Sequence, residues 1–116
     1  MCNLDKLKIL IDKLRQEEGV FIVEGINDKK TLIHLGIASS RIIEVSHKPI
    51  HTIRQELMPH SPYIHDFLDE DKEGEKIRKR IEQAGIHLRH EMRRRLFSEL
   101  RVLRTEEIPK ALREVF

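Results

Sequence analysis

Three acidic residues, Glu24, Asp69 and Asp71, stand where carboxylates are able to hold a hard divalent cation. Glu24 ends a short apolar run, Val20-Phe21-Ile22-Val23, and Asp69 opens the acidic turn Asp69-Glu70-Asp71-Lys72-Glu73-Gly74 after a second apolar segment. If the two segments are neighbouring strands of a parallel sheet, topology alone carries these carboxylates to one sheet edge. Converging carboxylates without a cation repel one another and raise their own pKa values, a penalty that Mg²⁺ or Mn²⁺ with oxygen ligands removes. An acidic loop taken alone is also what a helix N-terminus favours. The distant Glu24 is what points beyond that reading.

The elements that must position these groups follow from hydrophobic spacing. Leu4, Leu7, Leu10, Ile11 and Leu14 recur at helical intervals before Gly19, with Asn3 or Asp5 to cap the start. Val20 to Val23 is a continuous apolar run of the kind buried on both faces of a parallel sheet. A helix through Leu32, Ile33 and Leu35 closes at Gly36; Arg41 to Ser46 reads as a second strand, and a helix opening near Pro49 ends before Pro59. The third strand runs from about Pro62 to Leu68 and leads through the acidic turn into a helix that Gly85 ends. A further helix is expected from Ile86 to Leu100, a fourth strand over Val102 to Ile108, and a C-terminal helix from Pro109. Alternating strands and helices give an α/β domain with right-handed crossovers, a mostly parallel four-stranded sheet flanked by helices, and ligands beyond the carboxyl ends of the strands. Residues 1–19 form a helix packed on the domain made by residues 20–116.

The chain has 116 residues, 39% hydrophobic and 36% charged, enough for one ordinary core under a densely ionic surface. Cys2 has no partner, and no stretch is long enough to span a bilayer, so the expected setting is a reducing cytoplasm with no membrane partner. Net charge is +2, but residues 1–75 hold 10 basic and 14 acidic side chains, hence −4, and residues 76–116 hold 12 and 6, hence +6. A metal site beside a phosphate-binding surface requires such an asymmetry, and solvated helix faces also account for it. Lys76, Arg78, Lys79, Arg93 and Arg94 are the candidates for nucleic-acid phosphates. Asp66, inside the third strand, needs a partner if it is buried and ionised, or serves as an accessory ligand.

Val23-Glu24-Gly25-Ile26-Asn27-Asp28 followed by Leu32 resembles the glutamate motif of Toprim domains, and Asp69-Glu70-Asp71-Lys72-Glu73-Gly74-Glu75 resembles their Asp-x-Asp motif. Residues 74–81 are most similar to the Toprim domain of the 5S ribosomal RNA maturase, and the acidic motif also resembles that of type IA topoisomerases; bacterial primases carry the same domain. The resemblance implies a compact Rossmann-like fold. It also implies Mg²⁺ on Asp69 and Asp71, Glu24 as general acid/base and occasional metal ligand, and Glu73 as a third acidic position at the metal. Gly25 and Gly74 read as turn positions where the backbone turns sharply or is closely approached.

The implied activity is metal-dependent phosphodiester chemistry on RNA or DNA, as a nuclease or its catalytic module. The alternative is a non-catalytic nucleic-acid-binding or scaffolding module acting with partner proteins. A stand-alone topoisomerase is not expected, because Tyr63, the sole tyrosine, reads as a packed aromatic of the third strand, and one cysteine cannot make a cysteine-rich zinc cluster. The first helix and the helix from Ile86 offer apolar stripes for pairing in a homodimer.

Overall fold

The computed structural model describes residues 4–115; Cys2 and the candidate cap Asn3 lie outside the described residues. In chain order the elements are α1 (Leu4–Gln16), β1 (Val20–Val23), α2 (Ile26–His34), β2 (Ile42–Glu44), α3 (Ile50–Leu57), β3 (Ile64–Asp66), α4 (Lys72–Gln83), α5 (Glu91–Leu100) and α6 (Ile108–Val115). The strands form one parallel sheet in the order β2-β1-β3, with Phe21 paired to Ile42 on one side and to His65 on the other. All four residues of β1 are buried, as its uninterrupted apolar run requires of a central strand.

Successive residues of β1 feed opposite cores. Phe21 and Val23 join α1, α2 and α5 on one face, while Val20 and Ile22 join Ile53 and Leu57 of α3 and Ile81 of α4 on the other. The apolar stripe of α1 (Leu7, Leu10, Ile11, Leu14) meets Met92, Leu96, Phe97 and Leu100 of α5 in the first core. Each such side chain is worth roughly 1.5–3 kcal/mol relative to exposure. The two stripes expected to pair between subunits are therefore consumed within one chain.

The sheet has three strands rather than the expected four, and the segment from Val102 to Ile108 is not one of them. Val102, Thr105 and Ile108 are buried, but the residues between them form a turn and a short 3-10 helix, Thr105–Glu107. The reason is local: the amides of Leu103 and Arg104 both donate to Glu107 Oε1, at 3.2 and 2.9 Å, and so need no strand neighbour. The free edge of β3 is covered instead by a single bridge from His65 to Arg89, in which Asp66 N–H donates to Arg89 O at 2.9 Å and Arg89 N–H to Ile64 O at 2.8 Å. This bridge also delays α5, which begins at Glu91 and not at Ile86. Among the described residues no helix is long and apolar enough to cross a membrane.

Candidate metal centre

In the order β2-β1-β3, the chain leaves central β1 toward one side for β2 and crosses back to the other for β3. The crevice between the carboxyl ends of β1 and β3 is thus a topological switch point, where open α/β sheets bind ligands. Glu24 directly follows β1, and Asp69 and Asp71 follow β3. One carboxylate oxygen from each of the three lies within 4.8 Å of the others, the one such acidic or metal-ligating group among the described residues. The cleft around them, about 470 Å³, is also lined by Asp28, Arg104 and Glu106.

The two aspartates are each held by a backbone amide. Asp69 is buried and its Oδ1 accepts from Thr105 N–H at 2.9 Å, while the Thr105 hydroxyl donates to Phe67 O at 2.9 Å. Asp71 caps α4, its Oδ1 accepting from Gly74 N–H at 2.8 Å, and its Oδ2 stands 3.5 Å from Arg104 Nε. Glu24 Oε1 is buried without a hydrogen-bond partner. Burial, then the charges of Asp69 and Asp71, raise the Glu24 carboxyl from an ordinary 4.5 to about 7. Burial chiefly, with neighbouring carboxylates and against the Thr105 amide, raises Asp69 from 3.8 to about 6. Asp28 is raised as well, mainly by burial, although Gly25 N–H donates to it at 3.4 Å.

A buried carboxylate oxygen with no donor, inside a set of hard oxygen ligands that destabilise one another, fits a divalent cation such as Mg²⁺ or Mn²⁺. Glu73, expected as a third acidic position at the metal, is exposed, is not part of the converging group, and lines a separate cavity with Ser46 and His47. The two glycines also part company. Gly25 has φ −142° and open space where a Cβ would point, so its backbone conformation does not demand glycine. A Cβ on Gly74 would lie 2.1 Å from Asp69 O and 3.1 Å from Glu24 Oε1. Gly74→Ala is therefore expected to cost about 1–3 kcal/mol and to displace the loop carrying Asp69. A urea midpoint unchanged from the parent would show that the loop absorbs the methyl group freely.

No family model matches the chain. A UPF0292 protein of Pyrococcus horikoshii is 31% identical over 98 residues, spanning 81% of this chain and 73% of that protein. The chain belongs to the UPF0292 family. UPF0292 proteins of Thermococcus sibiricus and Thermococcus kodakarensis are 36% and 35% identical over 84 and 79 residues, and the matches span 63% and 58% of those proteins. A solved structure of a protein from Aquifex aeolicus is similar at a TM-score of 0.66 and 26% identity, covering 90% of this chain and 97% of that one.

The UPF0292 chain departs from its sequence reading most clearly at the arginines. Arg78 and Arg93, both expected to meet phosphates, are 6% and 3% exposed and converge on Asp66, which is fully buried. Arg78 also pairs with Glu75 at 2.8 Å, Arg93 with Glu70, and His90 Nδ1 stands 2.8 Å from Asp66 Oδ2. Asp66 is thus the anchor of a buried ionic network and not a metal ligand. A signal was available in the sequence: Arg93 lies on the same helical stripe as Leu96, Phe97 and Leu100, and Arg78 on the stripe of Gly74 and Ile81. Lys76, Lys79 and Arg94 are exposed and form no ion pair among the described residues. They occupy α4 and α5, whose apolar stripes enter different cores, so the basic residues do not make one continuous helix face.

Proposed function

We propose that this UPF0292 protein is a Toprim-like domain of Rossmann-like type that performs Mg²⁺- or Mn²⁺-dependent phosphodiester chemistry on nucleic acid, as a nuclease or its catalytic module. The observation that supports this is the convergence of Glu24, Asp69 and Asp71 at the switch point between β1 and β3. When bound there, the cation supplies charge stabilisation to a phosphate and its leaving oxygen. Asp69 and Asp71 are the ligand pair, fixed by Thr105 N–H and Gly74 N–H respectively. Glu24 is the group placed to carry a proton, since burial brings its carboxyl into the neutral range where general acid/base catalysis is most effective. Arg104 is the one cationic side chain lining the cleft among the described residues and is placed to engage a phosphate oxygen.

The test is cleavage of single-stranded, duplex and structured RNA and DNA with Mg²⁺, run beside Asp69→Asn. Metal-dependent cleavage lost in the variant is the expected result; equal cleavage by both proteins would reject the site. Binding can be read separately. Mg²⁺ or Mn²⁺ is expected to raise the melting temperature because it binds the folded state preferentially, by about 2.7 kcal/mol at a hundredfold excess over its dissociation constant. The Asp69→Asn/Asp71→Asn double variant should show no rise, and a full rise there would place the cation elsewhere.

A further inference from the structure

Beside the acidic cleft lies a second cavity of about 210 Å³, between the end of β2 and helices α3 and α4. Its walls include Ile53 and Ile77, and its rim carries Ser46, His47, Glu73 and Arg80. Ser46 lines both this cavity and the acidic cleft, and its amide donates to Glu24 O at 3.0 Å, so the two share a wall tied to the end of β1. Glu73 and Arg80 line the same cavity yet form no ion pair among the described residues. His47 has φ 64°, in a turn closed by Lys48 N–H donating to Val45 O at 3.4 Å. Glycine would hold that turn with less strain, so His47 sits at the cavity rim at a small conformational cost.

We infer that this cavity is a nucleobase subsite selective for guanine, taking the base next to the phosphate held in the acidic cleft; the inference rests on the phosphodiester reading above. An apolar wall with a mixed rim of donors and acceptors suits a flat heterocycle, as in the recognition of unstacked bases. A bare phosphate is disfavoured because Glu73 would repel it. Among the bases, guanine offers two adjacent N–H donors on its pairing edge to the two oxygens of one carboxylate. It also presents O6 and N7 as acceptors matched to an arginine. Glu73 and Arg80 supply that pair of partners, and Ser46 and His47 complete the rim. Adenine and cytosine would turn a ring acceptor toward the carboxylate, and uracil offers one donor between two carbonyls.

The inference is tested on the full chain, without metal, by following isoleucine methyl resonances during titration with guanosine, adenosine, cytidine and uridine monophosphates and with inorganic phosphate. The Ile53 and Ile77 signals should move with guanosine monophosphate at a dissociation constant about tenfold lower than for the others. Glu73→Gln should abolish that preference. His47→Gly should weaken guanosine monophosphate binding severalfold while leaving the melting temperature equal or higher, an outcome that a turn-only role for His47 does not give. Equal affinities for all four nucleotides, matching shifts with inorganic phosphate, or a preference surviving in Glu73→Gln would each overturn the proposal. Failure of the phosphodiester reading looks different. A chain that prefers guanine yet gains no stability from Mg²⁺ keeps the base pocket and loses the metal centre, whereas one that binds Mg²⁺ and cleaves without regard to base loses the pocket alone.

Discussion

Replacing Asp66 with Ala is expected to cost about 3–5 kcal/mol of folding stability, because it leaves two buried guanidinium groups without their shared counter-ion. Arg78 and Arg93 are both nearly inaccessible, and their remaining carboxylates, Glu75 and Glu70, are 52% and 41% exposed. Those exposed partners are screened by water and offset little of the loss. Asp66→Asn should cost less, since an amide oxygen is still able to accept from Leu68 N–H, the bond that Asp66 Oδ1 makes at 2.9 Å. The same logic predicts that Arg93→Ala lowers stability sharply, whereas Arg94→Ala, at an exposed position, does not. Urea denaturation of the four variants checks the ranking, and a loss below about 1 kcal/mol in Asp66→Ala would mean that the network is solvated in solution.

On the proposed phosphodiester reading, Glu24→Gln is expected to reduce turnover by about 10²–10⁴-fold while nucleic-acid binding is largely kept, because that reading makes Glu24 a proton-transfer group and not a phosphate contact. A companion readout needs no substrate. Glu24 titrates at about 7 in the folded chain against 4.5 ordinarily, and Asp69 at about 6 against 3.8. Both are raised, so the folded chain keeps protons that the unfolded chain has released, and stability falls as pH rises between roughly 4 and 7. Below that window the contribution is fully present; above it, it is lost. Metal-free protein should therefore melt at a lower temperature at pH 7 than at pH 5, Mg²⁺ should narrow the difference, and Glu24→Gln should flatten the upper part of the slope. Turnover by Glu24→Gln equal to the parent would remove Glu24 from the chemistry, and an unaltered melting profile would place its titration elsewhere.

How much of this was legible beforehand depended on the range of the forces involved. The apolar run of β1, the helical stripe of α1 and the acidic turn leading into α4 are local patterns, and each matched an element of the structure. The acidic residues could be placed at one edge because a strand's end is itself a local property. The fourth strand over Val102 to Ile108 failed because the amides of Leu103 and Arg104 are satisfied by Glu107, four and three residues away, and need no strand neighbour. The arginines failed for the opposite reason: Arg78 meets Asp66 across 12 positions and Arg93 meets Glu70 across 23, beyond the reach of any i, i+4 rule. Asp28 stands in the glutamate motif with no role of its own there, yet it is buried along the same cleft.

The bond from Thr105 N–H to Asp69 spans 36 positions, and the Thr105 hydroxyl reaches still further back to Phe67. During synthesis from the N-terminus, β1, β3 and the carboxylates at their ends all emerge well before the residue that fixes Asp69. The acidic centre therefore acquires the bond that fixes Asp69 only once the segment following α5 has been released.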